Sequence, residues 1–311
     1  MKSCWIITEG IAGTENQCLG VAESLGLTPD IKRIGLRQPW KTLSPYLPFE
    51  CAYTFTGDPL TAPWPELVIA SGRKAIAAAR YIKKQSGDKT FTVQIQDPRI
   101  NPKHFDLVAV PAHDPTRGDN VIVTHAAPNR ITMQKLDGAR AAHLQPFDSF
   151  TKPIISVLIG GNSKAYKMPA AVMEKLAQDL KALTDNYSLA ITTSRRTGDE
   201  NQKILEDALK NTDAWIWDGS GLNPYFAMLA WADFIFVTAD SVSMISEAAT
   251  TGKPVYMIPL EGGTKRFDKF HKHLVSEGII RIFDGTIEPY KYEALDDAAR
   301  VAREIMEKLN K

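Results

Sequence analysis

What the chain lacks narrows its class first. It holds three cysteines, Cys4, Cys18 and Cys51, an odd number with no pair at metal-ligand spacing, which argues against a disulfide framework and against a zinc site. Neither sign of charge dominates: 37 Lys and Arg against 36 Asp and Glu leave a formal net charge of +1, so no global field favours nucleic acid. No stretch approaches the roughly 18 consecutive apolar residues of a spanning helix, and residues 3–8 turn strand-like too early for a signal-peptide core. The expected setting is a reducing cytoplasm, with any membrane contact peripheral, on the inner face. The GxGxxG fingerprint is missing. The first loop has Gly10 and Gly13, and the second half has Gly160-Gly161 with no later glycine, which disfavours a nicotinamide dehydrogenase. Gly252-Lys253 ends like a P-loop, but Pro254 replaces its hydroxyl residue and Glu247 stands where its first glycine belongs.

What is present is alternation. Strand-like runs at 3–8, 31–36, 67–70, 90–95, 107–110 and 121–124 are interleaved with helical spacing at 16–25 and 74–84. The pattern restarts after weak signals near 140–152. Strands are expected at 154–159, 188–192, 214–217, 234–238 and 255–258, and helices at 169–183, 201–209, 223–232, 242–250 and 292–309. With 311 residues, this predicts an α/β chain of two Rossmann-like domains facing a cleft: residues 1–148, and residues 149–311 with the last helix crossing back to the first domain. One stretch breaks the rhythm. Between Arg37 and Glu66 lie six prolines and six aromatic residues, read either as an ordered loop packed over the sheet or as an acceptor-binding or membrane-touching loop.

Three strand ends of the second half carry residues suited to anions. Gly160-Gly161-Asn162-Ser163 follows a strand and precedes a helix, so its backbone could approach a phosphate, although a tight turn reads equally well. Thr193-Ser194-Arg195-Arg196 offers hydroxyls and guanidinium groups, of which at least one arginine is expected in a solvated turn. Thr238, Asp240, Ser241, Ser243 and Met244 cluster at a strand-to-helix turn, and Glu247 lies four residues beyond Ser243 on the same helix face. Such a carboxylate can accept both hydroxyls of a ribose. The alternative is a helix capped by Asp240 or Ser241 with Glu247 in solvent. In the first half, Glu9, Gly10, Gly13, Asn16 and Gln17 fill the first strand-to-helix loop, and Gln96, Asp97 and His125 close later strands. Asp97, His125 or Glu15 could take a proton from an acceptor hydroxyl, or serve as structural hydrogen-bonding groups. His271 and His273 are two apart on a helix and diverge, so no metal pair is expected. Asp296-Asp297 reads as a solvated helix face.

The segments EGIAGTENQCLGVAESLG, SGRKAIAAAR, FTVQIQDPR, FDLVAVPAHD, NVIVTHAAPNRIT, IGGNSKAY, TTSRRTG, NPYFAMLAWADFIFVTADSVSMISEAATTGKPVYMIPL and RFDKFHKHL carry a resemblance that spans nearly the whole chain. The chain resembles the bacterial homologues of the plant mitochondrial-fission "elongated mitochondria" proteins. Glu9 stands where that family more often has Asp. The second half is similar to the donor domain of GT-B glycosyltransferases. That resemblance implies a metal-independent transferase using a nucleotide-activated sugar as substrate, with no separate cofactor. Gly160, Gly161, Asn162, Ser163, Thr193, Ser194, Arg195, Arg196, Thr238, Asp240, Ser241, Ser243 and Met244 would surround the donor, and Glu247 would hold its ribose. An acceptor, lipid-linked or from the cell envelope, would lie near Glu9, Gly10, Gly13, Asn16, Gln17 and Gln96, with Asp97 or His125 as base. A non-catalytic, membrane-associated scaffold and a nucleoside-diphosphate-sugar epimerase are the alternatives.

Overall fold

The computed structural model describes residues 3–310, and the chain divides into two compact units. The first unit runs to Arg130 and regains the chain from Asp296 onward; the second is Ile131–Leu295. The division falls after Arg130 rather than near residue 148 because residues 133–149 fold into the second unit. Phe147 is buried there, stacked on Trp231 at 6.0 Å and edge-on to Trp215 at 5.9 Å. Three aromatic residues far apart in sequence hold what composition alone presents as a linker.

The first unit contains β1 (Cys4–Thr8), α1 (Ala12–Ser24), β2 (Asp30–Leu36), α2 (Trp40–Leu43), β3 (Phe55–Gly57), β4 (Leu67–Ser71), α3 (Ala75–Gln85), β5 (Phe91–Ile95), β6 (Leu107–Pro111) and β7 (Val121–Thr124). Its strands order as β3-β2-β1-β4-β5-β6-β7, all parallel except β3, which runs antiparallel to β2. Side chains alternate between two cores, as a sheet covered on both faces requires. Leu67 and Ile69 join Ile6, Val21, Val301 and Ile305 on one side, while Val68 and Ala70 join Ile76, Ile82 and Val108 on the other. In α1, a Cβ at Gly20 would lie 2.1 Å from the carbonyl oxygen of Asn129, so only glycine lets the helix lie this close to the end of the unit.

The second unit contains α4 (Met133–Ala142), β8 (Ile154–Ile159), α5 (Ala170–Leu183), β9 (Ser188–Thr193), α6 (Asp199–Leu209), β10 (Ala214–Ile216), α7 (Tyr225–Trp231), β11 (Phe234–Thr238), α8 (Val242–Thr250), β12 (Val255–Ile258), α9 (Lys265–Ser276) and β13 (Ile280–Ile282). Its six strands are all parallel and order as β10-β9-β8-β11-β12-β13. In both sheets the chain builds outward in one direction and then in the other. The order therefore reverses between β1 and β4, and again between β8 and β11. Ligands of such sheets gather at the carboxyl ends of the strands that flank this switch point.

The last helix, α10 (Asp297–Leu309), packs in the first unit beside α1. Asp297 corrects the expectation of a solvated face. It is buried, and its carboxylate accepts the backbone N–H of His125 at 3.0 Å and of Ala126 at 2.8 Å. Asp296 alone is exposed, paired with Arg303 at 3.0 Å. Burial raises the Asp297 carboxyl above its ordinary range, and the two amide bonds oppose that rise. Asp297→Ala leaves two amides without their acceptor and is expected to cost about 3 kcal/mol in urea denaturation. A loss within error of zero would mean that water replaces the carboxylate.

Candidate functional site

The switch point of the second unit lies between the ends of β8 and β11, where Gly160-Gly161 and Thr238-Ala239-Asp240 meet. Asp240 organises it. Its side chain is fully buried; it accepts the amide of Gly161 at 3.0 Å and the hydroxyl of Thr238 at 2.7 Å, and it pairs with Arg196 at 2.7 Å. The Thr238 hydroxyl in turn accepts the amide of Gly160 at 2.7 Å. This explains the two glycines more directly than an approaching phosphate does. A Cβ on Gly160 would lie 2.2 Å from the Asp240 carboxylate, and one on Gly161 2.2 Å from the carbonyl oxygen of Arg196. The glycines make room for the protein's own carboxylate and backbone.

The neighbouring turns are likewise tied together. Ser163 Oγ accepts the amides of Ala165 and Tyr166 at 3.2 and 3.0 Å, and Asn162 Oδ1 accepts that of Met168 at 3.0 Å. Thr193 Oγ1 donates to Gln202 at 3.1 Å, and Ser194 Oγ accepts the amide of Arg196 at 3.2 Å. The adjacent arginines diverge. Arg196 turns to Asp240 and to the carbonyl of Gly161 at 3.2 Å, while Arg195 stays in solvent. Thr197 also belongs here, its hydroxyl donating to the carbonyl of Gly160.

Ser241 caps α8, its Oγ accepting the amide of Met244 at 3.3 Å. That leaves the amides of Val242 and Ser243 without intrahelical partners, together with the half-buried hydroxyl of Ser243. One turn further on, Glu247 is not in solvent. Tyr225, at the start of α7, donates its hydroxyl to Glu247 Oε2 at 2.5 Å. The carboxyl keeps a little solvent access but is crowded by protein, and this desolvation pushes it up to about 7, against the opposing bond from Tyr225. Burial beside Glu247 also holds the Tyr225 phenol well above its ordinary value, so it remains a donor. Sequence reading missed Tyr225, although its place beside Asn223-Pro224 was a signal. Asn223 Oδ1 accepts the Tyr225 amide at 3.0 Å and starts the helix there.

His271 lies beside the site, whereas Lys253 lies at the opposite edge of the sheet, just before β12. His271 of α9 is buried, hydrogen-bonds the backbone of Ala239, and is held below its ordinary range chiefly by burial. Lys253 donates to the carbonyls of Leu229 and Ala230 at 2.9 and 2.6 Å, at the end of α7, which accounts for Gly252-Lys253 without a phosphate. A cavity of about 500 Å³ opens beside the glycine turn, lined by Asn162, Lys167, Met168, Thr197, Gly198 and Asn201 among others.

In the first unit, the switch-point residue Glu9 reaches across to α3. It accepts the Lys74 amide at 3.2 Å and pairs with the Lys74 ammonium at 2.6 Å. Gly10 takes φ 78°, Gly13 lies inside α1, and Asn16 is half-buried on the same helix. Gln17 lies inside α1 rather than in the loop before it, and accepts from Gln96 at 3.0 Å, which ties that helix to the end of β5. Glu15 pairs with Arg33 at 2.7 Å. Asp97 Oδ1 accepts both the amide of Arg99 at 2.8 Å and the hydroxyl of Thr116 at 2.7 Å. The imidazole of His125 is half-buried at the end of β7. Among the described residues, no three His, Cys, Asp or Glu side chains gather as metal ligands.

Each unit is Rossmann-like, with an order reversal in a sheet that is parallel throughout or, in the first unit, parallel except for β3, and solved structures of the GT-B fold align with the chain. A UDP-GlcNAc 2-epimerase from Methanocaldococcus jannaschii aligns with TM-score 0.57 at 14% identity, covering 100% of this chain and 99% of its own. The Neisseria meningitidis UDP-GlcNAc 2-epimerase bound to UDP-GlcNAc gives TM-score 0.54 at 13% identity, covering 99% and 100%. MurG of Acinetobacter baumannii gives 0.50 at 15%, covering 100% and 91%. At these identities the likeness establishes the fold. The sequence narrows the class further: the pattern described as Mitochondrial fission ELM1 matches residues 12–309, and the chain belongs to that family. It is 33% identical over 274 residues to the mitochondrial fission protein ELM1 of Arabidopsis thaliana, covering 79% of this chain but only 64% of the plant protein. It is 28% identical to an uncharacterized protein of Rickettsia prowazekii over 96% of both chains.

Proposed function

We propose that the second unit binds a nucleoside-diphosphate sugar and that the protein transfers the sugar to an acceptor hydroxyl. The observation that carries this reading is Glu247: a crowded carboxyl fixed by Tyr225 through one oxygen, one turn beyond the open amides of α8. The ribose hydroxyls donate to this carboxylate. The diphosphate is met by the amides of Val242 and Ser243, the Ser243 hydroxyl and the exposed guanidinium of Arg195, at the positive end of the helix. Asp240 and Arg196 shape the floor rather than contact the ligand, because each already serves the other. In the transfer, the bond from the sugar's anomeric carbon to the diphosphate breaks, a bond to the acceptor oxygen forms, and the acceptor proton leaves to a base.

One observation favours a second reading, binding without turnover: the amides of Gly160 and Gly161 are taken by Thr238 and Asp240, so the glycine turn offers no donor to a departing diphosphate. A thermal-shift screen with UDP, GDP, ADP and CMP, free and as sugar conjugates, tests binding. At 100 times Kd the expected gain is about 2.7 kcal/mol. A base-selective shift accompanied by slow release of the free diphosphate supports the transferase. A shift with no release over hours supports the binding-only reading, and no shift with any nucleotide removes both.

A further inference from the structure

We propose that the proline- and aromatic-rich loop of the first unit, between Arg37 and Phe55, is a docking surface for an anionic lipid bilayer. The loop's aromatics divide into two sets. Trp40 and Phe55, with Trp64 further on, pack against the sheet core, as a loop laid over a sheet should. Tyr46, Phe49 and Tyr53 do the opposite, with exposures of 67%, 80% and 66%, and Leu43 joins them at 49%. Four large apolar or amphipathic side chains are exposed within eleven residues, a local density of apolar surface that water disfavours. Phe49 also sits at φ 70°, a backbone region that aromatic residues rarely occupy, so its outward placement is imposed rather than relaxed.

The backbone beneath the patch is prepared for a medium of low polarity. Irregular chain can approach lipid only when its carbonyls are already satisfied by protein. Here three arginines do this. Arg73 donates to the carbonyls of Lys41 at 3.2 Å and Ser44 at 2.6 Å, Arg80 to that of Leu47 at 3.0 Å, and Arg37 to those of Tyr53 at 2.5 Å and Phe55 at 2.6 Å. The indole of Trp40 donates to the carbonyl of Pro48 at 3.4 Å, and the Ser44 hydroxyl returns a bond to the Arg73 carbonyl at 3.0 Å. The segment is a fixed platform, not a floppy tether.

Charge selects the kind of surface. Between Ile34 and Phe55 the one carboxylate is Glu50, and it is paired with Arg80. The exposed charges of the loop and its support are therefore cationic: Arg37, whose guanidinium stacks 4.6 Å from the Tyr53 ring centre, Lys41 and Arg73. Tyrosines flanking a phenylalanine in sequence, on a loop whose exposed charges are cationic, match the boundary between acyl chains and anionic headgroups.

Sedimentation of the full chain with phosphatidylcholine vesicles, with and without phosphatidylglycerol, tests this. The expected result is binding that requires phosphatidylglycerol and weakens with salt. Phe49→Ser should lower partitioning about tenfold and Lys41→Ala about fivefold, each with an unchanged melting temperature. Failure to bind phosphatidylglycerol vesicles, or binding that Phe49→Ser leaves intact, overturns the proposal. So does a dimer in sedimentation velocity that Phe49→Ser dissolves while vesicles remain unbound, since the patch would then belong to a second copy of the chain.

Discussion

Asp240→Ala is expected to lower the stability of the second unit by about 3–4 kcal/mol in urea denaturation followed by tryptophan fluorescence. The carboxylate is fully buried and has three partners: the Gly161 amide, the Thr238 hydroxyl and Arg196. Alanine leaves the amide and the hydroxyl facing a void, and each buried polar group left without its acceptor costs roughly 1–3 kcal/mol. Arg196 is partly exposed and can return to water, so its contribution is the smallest of the three. Asp240→Asn keeps an oxygen for the amide and should recover more than half of the loss. Gly160→Ala should mimic the alanine variant from the other side, since its methyl would occupy the carboxylate's place. If Asp240→Ala cost less than about 1 kcal/mol, the carboxylate would not be organising the turn, and a ligand role for Asp240 would have to be reconsidered.

Glu247→Gln is expected to move stability and binding in opposite directions. Burial raises the folded-state carboxyl from an ordinary 4.5 to about 7, so the folded protein holds more protons than the unfolded chain between those values. Stability is therefore fullest below about pH 4.5 and is lost as pH rises to about 7, by up to roughly 3 kcal/mol. Glutamine is neutral throughout and still accepts the Tyr225 hydroxyl. The variant should thus melt higher than wild type at pH 8 and match it near pH 4. Nucleotide affinity runs the other way. Ribose hydroxyls bond best to the ionised carboxylate, so wild-type Kd should fall as pH rises toward 7 and level off above it, while the glutamine variant shows weaker, pH-independent binding. Paired thermal and binding titrations across pH 5–8 check both halves. A variant less stable than wild type at pH 8 would mean that the carboxylate is held by a partner other than Tyr225.

Much of this organisation is legible in the sequence because strands buried on both faces advertise themselves as short apolar runs. Residues 154–159, 234–238 and 255–258 are strands as expected. Failures arise where long-range packing decides. The segment near 140–152 is weakly patterned, yet Phe147 locks it against Trp215 and Trp231. Asp297 looks solvated until the fold brings His125 and Ala126 to it, 172 and 171 residues away in sequence. At the site, the capping role of Ser241 was among the readings offered by local sequence, because a cap is a local interaction. The pairing of Asp240 with the glycine turn was not legible. It joins residues 79 apart, and glycine pairs read the same way whether they admit a phosphate or a carboxylate. The same holds for Tyr225, whose hydroxyl meets Glu247 only because α7 and α8 flank β11.

The most direct measurement is calorimetric titration of UDP, GDP, ADP and CMP into the wild-type chain and into Glu247→Ala at pH 8. Saturable binding of one base by wild type is expected, weakened at least tenfold in the variant, since each lost bond to a charged group is worth roughly 1.5–3 kcal/mol. Equal affinity in the two proteins, or no heat from any nucleotide with a folded wild type, would contradict a ribose-binding Glu247 and with it the nucleotide-sugar reading.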